Sequence, residues 1–493
     1  MDEVVVAVSG WSIVSFVGYL FIIIAIGAYA SRFSSLGIAE YFIGGRKMNR
    51  FVVALSAVVS GRSAWLLLGV TGMSYSVGIQ TVWAVAGYII VEFFLFLYYA
   101  RRLRRFSELK DCITVPDFFA ERFKEHAPVI RIVLVAIILI FMVGYISSQF
   151  VAGGKTFASG FNIAPATGIL ITAAIVLLYT MLGGFLAVSL TDTVQGILML
   201  FALVVLPVIV ISDLGGWTMV MAELSTINIT MIDPFALTMG AAIGSLAIGL
   251  GSPGNPHIIS RYISIDDEKQ LIVACYVGTT WNILMAGGAI LIGLAGRVVF
   301  PEVSMLPGGD TENLYPILAS QYLHPVAFGI VIASIFAAIM SSADSQLLVA
   351  ASSIVRDIYE KLLNTGQQIP QGRLVLLSRI IVLSIVFISI IIGFIAEDVV
   401  YWLVLFAWAG LGAALGPTSI LTLYWRRTTG PGVISGMIAG ASVTIIWRLV
   451  EGLRAITYEL IPGFIVALVV TVVVSLLTNP PKDASDDMNL LEK

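Results

Sequence analysis

Five ionisable residues, Arg62, Glu92, Lys155, Asp192 and Asp344, fall inside long apolar runs of the chain. A charge at bilayer depth costs about 2.5–3.5 kcal/mol on insertion scales, so it faces a wet or protein-lined interior and marks a candidate site. Asp344 belongs to Ala338-Ile339-Met340-Ser341-Ser342-Ala343-Asp344-Ser345. Spacings of three and four put Ser341, Asp344 and Ser345 on one helical face, with Ser342 beside them. Hydroxyls, a carboxylate and freed carbonyls are oxygen ligands that suit a hard cation such as sodium. The plainer alternative is serine hydroxyls bonding back to their own helix. Asp192, in Ser189-Leu190-Thr191-Asp192-Thr193, either lines an ion exit or caps a helix start beside Gly183-Gly184.

The stretch Ala57-Val58-Val59-Ser60-Gly61-Arg62-Ser63-Ala64-Trp65 sits mid-way along another apolar run. Two serines, a glycine and an arginine there make the helix easy to interrupt. An interrupted helix frees carbonyls and amides to bind an ion or a polar solute. Arg62 has three readings. It pairs with Asp344 or Asp192 and stands where a cation would sit; it clasps a solute carboxylate with a two-pronged hydrogen bond; or its salt bridge merely fixes the broken helix. Lys155 raises the same question near the end of its run, from which it could snorkel to the interface. Gln149 could reach a pocket from the same helix.

These residues need membrane-spanning elements to position them. Of 493 residues, 59% are hydrophobic and 12% charged, with mean hydropathy +0.99; a soluble chain carries about 25% charged residues. The expected class is an all-α integral membrane protein. About thirteen spans are expected: roughly 11–31, 51–75, 79–100, 131–159, 165–182, 187–212, 234–256, 271–299, 324–352, 374–396, 399–425, 430–450 and 457–478. The first run is too long for a cleavable signal peptide and is followed by basic residues. Basic residues cluster on one side (Arg46, Lys47, Arg50, Arg101, Arg102, Arg104, Arg105, Arg261, Arg356, Arg426, Arg427). Acidic ones mark the other (Asp213, Glu223, Asp233, Glu302, Asp310, Glu312, Glu397, Asp398). Positive-inside then puts the N-terminus outside and the polar tail, 479–493, in the cytoplasm.

A second interruption, Gly249-Leu250-Gly251-Ser252-Pro253-Gly254-Asn255-Pro256, comes five spans after the first and enters from the opposite side. Two broken helices at matching places in oppositely inserted halves point to an inverted repeat, with a site at the repeat interface. The expected division is 1–50 leading span and loop, 51–212 and 234–425 the two five-helix repeats, 430–478 two further spans, and 479–493 the tail. Cys112 and Cys275 have neither disulfide nor metal-ligand spacing, and His126, His257 and His324 are scattered.

Several stretches resemble the sodium/solute symporter family, and most its sodium/proline symporter branch, over nearly the whole chain. They are Tyr41-Phe42-Ile43-Gly44-Gly45-Arg46, Thr114-Val115-Pro116-Asp117-Phe118-Phe119, the run from Gly183-Gly184 to Gln195, Asn255-Pro256-His257-Ile258-Ile259-Ser260-Arg261, and the run from Ala407-Trp408 to Gly416-Pro417. The resemblance implies a LeuT-type 5+5 inverted repeat with an extra leading helix, and alternating access driven by a sodium gradient. It implies a main sodium site from the carbonyls of Val59, Arg62 and Ala338 and the hydroxyls of Ser341 and Ser342. A second would use Ser341, Asp344, Ser345 and Asp192. It implies a solute pocket that includes Trp65 and Tyr145; the candidate solute-binding set adds Ser60, Gly61, Arg62, Gln149, Ile248 and Ser252. Where the proline branch has an aspartate important for sodium, this chain has Gly61, and the usually apolar next position is Arg62. Ile248 and Ser252 replace aromatic pocket residues.

The expected function is ion-coupled, sodium-driven symport of a small organic solute, an amino acid such as proline or a relative. The alternatives are sodium-independent transport through Arg62 and a solute-sensing receptor. No covalent chemistry, cofactor or nucleic-acid partner is expected; the partners are the solute and the lipid bilayer.

Overall fold

The computed structural model describes residues 8–34, 37–395 and 400–492. Glu397 and Asp398, which the charge asymmetry uses, lie outside the described residues, as does Lys493. Among the described residues the chain is helical throughout, with one isolated bridge between Met48 and Ile265. The apolar runs form α1 (Gly10–Ser34), α2 (Arg50–Ala64), α3 (Val82–Phe94), α4 (Ala127–Phe161) and α5 (Pro165–Asp213). They continue as α6 (Met239–Ala247), α7 (Pro256–Ser264), α8 (Leu271–Val299), α9 (Pro325–Ser352) and α10 (Gln371–Ile395). The last are α11 (Val400–Tyr424), α12 (Gly430–Leu449) and α13 (Leu460–Leu477).

Among the described residues, ten helical stretches are long and apolar enough to cross a membrane. One of them, Arg50–Leu109, is 60 residues long and holds two of the expected spans. A further expected span is the shorter apolar helix Pro165–Met181. The seventh is the broken one, α6 and α7 joined by the tight turn Ile248–Gly254. Gly184, at φ 58° and ψ −163°, divides α5 into two spans. The chain is thus a polytopic, all-helical membrane protein with the expected set of apolar elements.

Enclosure separates core from periphery. The most apolar windows of Pro325–Leu363 and Val400–Tyr424 are 83% buried, against 28% for Gly10–Ala30 and Leu460–Leu477. α9 and α11 are therefore central, while α1 and α13 present side chains such as Phe21 and Leu477 outward, where lipid would cover them. Side-chain caps start the helices: Asn49 accepts from the amides of Phe51 and Val52, Thr114 from Asp117, and Thr238 from Ala241. The tail is helical too (Ala484–Glu492). Met488 and Leu491 are buried, and Asp487 pairs with Lys110 at 2.9 Å and Arg122 at 3.6 Å.

Apolar side chains feel no hydrophobic drive toward one another inside lipid, so close backbone approach has to supply the packing. It does so at the second break. A Cβ on Gly249 would fall on the carbonyl of Gly87 in α3, one on Gly251 on the Trp408 indole, and one on Gly254 on the Leu411 carbonyl in α11. Gly249→Val should lower the melting temperature of the detergent-solubilised protein, since overpacking of this kind costs about 1–3 kcal/mol or more. Gly287→Val, where a Cβ meets nothing within 4 Å, is the control and should leave it unchanged.

Candidate functional site

The first break centres on Ser63, whose φ of 50° and ψ of −172° leave the helical region entirely. A non-glycine residue holds such a backbone only when its surroundings over-determine it. Gln149 of α4 accepts from the freed Ala64 amide at 3.1 Å, and Ser63 Oγ accepts from the Trp65 amide at 3.2 Å. From α9, Ser342 Oγ donates to the Ser60 carbonyl at 2.8 Å, and Ser341 Oγ reaches the Val59 carbonyl at 3.5 Å and its own Ala338 carbonyl at 3.1 Å. The Arg62 carbonyl accepts from the Trp65 amide. Val59, Ala338, Ser341 and Ser342 thus meet between α2 and α9, all buried. Such converging carbonyl and hydroxyl oxygens form an arrangement that can coordinate a small hard cation.

Asp192 lies next to this group. It accepts from Ser56 Oγ at 2.6 Å and Ser60 Oγ at 3.1 Å. Ser345 Oγ lies 3.2 Å from Ser60 Oγ and bonds to Asp344 Oδ1 at 3.1 Å and the Ser341 carbonyl at 2.7 Å. Asp192 is therefore no cap for a helix starting at Gly183-Gly184; it sits two turns further on and bonds across to α2. Arg261 also differs from expectation. Counted from sequence as a loop charge, it is 1% exposed, because α7 carries the chain past Pro256 to Ser264. Its guanidinium contacts Asp192 Oδ2 at 3.3 Å, Ser56 Oγ at 3.1 Å, and Ser345 Oγ.

Arg62 turns away from both aspartates. It forms an ion pair with Glu92 of α3, and its guanidinium carbon lies 3.8 Å from the centre of the Tyr88 ring. The direction follows from the helix itself: Ser56 and Ser60, four apart, face Asp192, and Arg62, two residues on, lies about 200° round on the other side, toward Glu92. Glu92 also accepts from Asn282 Nδ2 at 2.8 Å and Ser252 Oγ at 3.3 Å. A small cavity adjoins this pair, lined by Gly61, Arg62, Trp65, Tyr88, Tyr145, Ile248, Val404, Leu405 and Trp408. Trp65 stacks on Tyr401 (centroids 5.8 Å apart, 25° between planes), and the Tyr145 hydroxyl lies 3.5 Å from Ser63 Oγ. Gln149 serves the helix break, and Ser252 is at the edge, bonded to Glu92.

Ion-pair clusters flank the site on both faces. Lys155 does not snorkel outward: it bonds Asp310 at 2.7 Å and Glu312 at 2.5 Å, and Glu312 accepts from the Val400 and Tyr401 amides at the start of α11. On the face bearing the basic loops, Asp117 pairs with Arg131 at 2.7 Å and Arg356 at 3.1 Å, and Arg131 also contacts Asp357. Ser63, Tyr88, Arg261, Asn282, Tyr401, Val404, Leu405 and Trp408 were not singled out from sequence. Ser63 carried a signal by lying inside the interrupted stretch, and Arg261 and Trp408 by lying in stretches that resemble the family.

Removing one partner of a buried ion pair costs about 3–5 kcal/mol because the other is left uncompensated. Arg261→Met should therefore destabilise the protein strongly in thermal unfolding, and Arg261→Met/Asp192→Asn should recover much of that loss. Asp117 gives a pH test. Burial works to raise its pKa, but Arg356 and then Arg131 outweigh it and hold the carboxyl below its ordinary value of 3.8. A lowered folded-state pKa contributes stability that is present above the unfolded value and lost as pH falls through the folded one. The destabilisation by Asp117→Asn should be full at pH 7 and shrink below about pH 4, read from melting temperatures across that range.

The sodium:solute symporter family model matches residues 41–440. The osmoregulated proline transporter OpuE of Bacillus subtilis (strain 168) is 38% identical over 471 residues, covering 95% of this chain and 95% of that one. The sodium/proline symporter of Staphylococcus aureus (strain JH9) is 37% identical over 473 residues, covering 94% and 92%. Among solved structures, a sodium-coupled sialic acid symporter in a substrate-bound outward-open state superposes with TM-score 0.81 at 18% identity, covering 96% of this chain and 99% of that one. A nucleobase-cation-symport-1 family transporter in a closed conformation gives TM-score 0.56 at 15% identity, covering 91% and 98%. These likenesses establish the LeuT-type fold. By the span of the family match and the identity to its relatives, the chain belongs to the sodium:solute symporter family.

Proposed function

We propose that the protein couples inward movement of sodium to uptake of a small, proline-like organic solute. It would sit in the cytoplasmic membrane with its N-terminus outside and its tail inside. The observation that carries the reading is the meeting of the Val59 and Ala338 carbonyls with the Ser341 and Ser342 hydroxyls beside the break at Ser63. Those oxygens belong to α2 and α9, one in each of the repeats 51–212 and 234–425, so a cation held there would bridge both halves. In this reading the second cation site is the cluster of Asp192, Asp344, Ser345 and Ser341. With both carboxylates ionised, that cluster is one positive charge short, since Arg261 is the sole cation that contacts it among the described residues. A sodium ion would make up the difference.

The solute occupies the cavity beside Trp65, Tyr145 and Ile248, with Gly61 at its α2 wall; the Ser60 hydroxyl, expected in the solute site, is turned to Asp192 and Ser345 instead. The relatives' names favour proline. Arg62, engaged with Glu92, is not available as a fixed cation in the sodium position, which disfavours the sodium-independent reading. Binding the ion and the solute at one interface makes each favour the same conformation, which is what coupling requires.

The test is thermal stabilisation of purified protein by L-proline in sodium and in potassium at equal ionic strength, followed by uptake into liposomes. Stabilisation and uptake should occur only in sodium, and equal effects in both salts would overturn sodium coupling. Ser341→Ala and Ser342→Ala should each weaken sodium dependence by roughly tenfold or more, the loss of one oxygen contact to a charged species. Solute binding at saturating sodium should survive.

A further inference from the structure

We propose that the buried Arg62–Glu92 ion pair is the charged half of the solute subsite. It opens to receive both charged ends of a zwitterion, and so selects a small amino or imino acid over singly charged and neutral analogues. The inference rests on the reading of this cavity as the solute site and adds the residues that set its specificity.

The pair is surplus to the helix break. The Ala64 amide, the Trp65 amide and the Ser60 carbonyl are already taken by Gln149, Ser63 and Ser342. A buried ion pair is also a weak source of stability compared with apolar side chains of similar volume. Yet the Arg62 and Glu92 side chains are 1% and 4% exposed; Arg62 lines the cavity, and Glu92 stands behind it as its ion-pair partner.

The surroundings hold the two charges apart from one another's control. Glu92 is fixed from two other elements, by Asn282 of α8 and by Ser252 in the second break. Arg62 is fixed separately, through the Tyr88 ring and the Val58 carbonyl at 3.3 Å. Each has partners that persist when the other is shared with a ligand. The Trp65 indole N–H, lining the same cavity, is buried and has no acceptor among the described residues. An unsatisfied buried donor is costly, and a ligand oxygen would relieve it.

Charge balance then decides what fits. An anion captured by Arg62 alone leaves Glu92 short of its partner in a water-poor cavity, and a cation on Glu92 does the same to Arg62. Either leaves an uncompensated buried charge. A zwitterion adds no net charge: its carboxylate accepts from Arg62 and Trp65 Nε1 while its ammonium donates to Glu92. Its body meets the apolar side chains of Ile248, Val404 and Leu405, which have to part to admit a small ring or chain.

The experiment measures binding to full-length protein in lipid nanodiscs containing sodium. The probes are L-proline, its methyl ester, N-acetyl-L-proline and pyrrolidine. Wild type should bind L-proline roughly 100-fold more tightly than any of the three analogues, about the effect of one lost charge-assisted bond pair. The neutral double variant Arg62→Gln/Glu92→Gln should keep a melting temperature closer to wild type than Arg62→Gln alone. It should lose roughly 100-fold in L-proline affinity and bind the ester nearly as well as L-proline. Unchanged discrimination in a folded double variant would make the pair a helix clasp and overturn its role in specificity, with the solute site intact. If wild type in sodium binds neither L-proline nor any other amino acid, the amino-acid reading of the cavity fails, and this proposal with it.

Discussion

A helix that stops inside a bilayer leaves backbone groups with no water to bind, and every other feature of this site follows from how those groups are taken up. At the first break the amides go to Gln149 and Ser63, while the carbonyls of Val59 and Ser60 turn toward hydroxyls of α9. At the second, Trp408 Nε1 donates to the Ile248 carbonyl at 2.8 Å, and Asn255 to that of Gly251. Ser63 and Asn255 are local, but Gln149, the serines of α9 and Trp408 come from helices far away in sequence, so the breaks depend on the packed bundle. The cation-type oxygen cluster is a by-product of the same arrangement.

The buried charges obey a second constraint, that each must be matched inside the protein. They form layers across the molecule. Lys155 with Asp310 and Glu312 ties α4 to the start of α11; Arg62 with Glu92 ties the first break to α3; Arg261 with Asp192 ties α7 to α5. Asp117, Arg131 and Arg356 join the segment Val115–Arg122 to α4 and the extension of α9. Each layer links elements distant in the chain, so a rocking motion has to shear or carry some of these pairs. Pairs that bind across such boundaries favour one conformation over another, which is how local charge contacts set a conformational equilibrium.

A fold shared at 18% identity with a sialic acid symporter shows how little of the sequence the architecture demands. What it needs is apolar length, glycines where backbones meet, and polar groups at two breaks. The solute is chosen by a few side chains set into that frame. Here a guanidinium, ion-paired with a carboxylate behind it, lines a cavity whose wall is otherwise mostly aromatic or aliphatic.

Much of this was legible in the chain itself. Apolar length and the spacing of polar residues along helices are local properties, so the membrane class, the two interruptions and the Ser341–Ser345 face could be read directly, together with the family. Partner choice was not. Arg62 had three carboxylates to choose from, and only the packed fold brings Glu92, rather than Asp192 or Asp344, to the side of α2 that it faces. Arg261 looked like a loop charge until α7 carried it inward, and Lys155 like an interfacial one until the loop at Asp310 and Glu312 covered it. Composition and periodicity determined which elements form and that they cross a bilayer, because hydration of each segment is decided within it. The pairing of buried charges was left to the tertiary structure, because it depends on which helices pack together and on where the backbone bends.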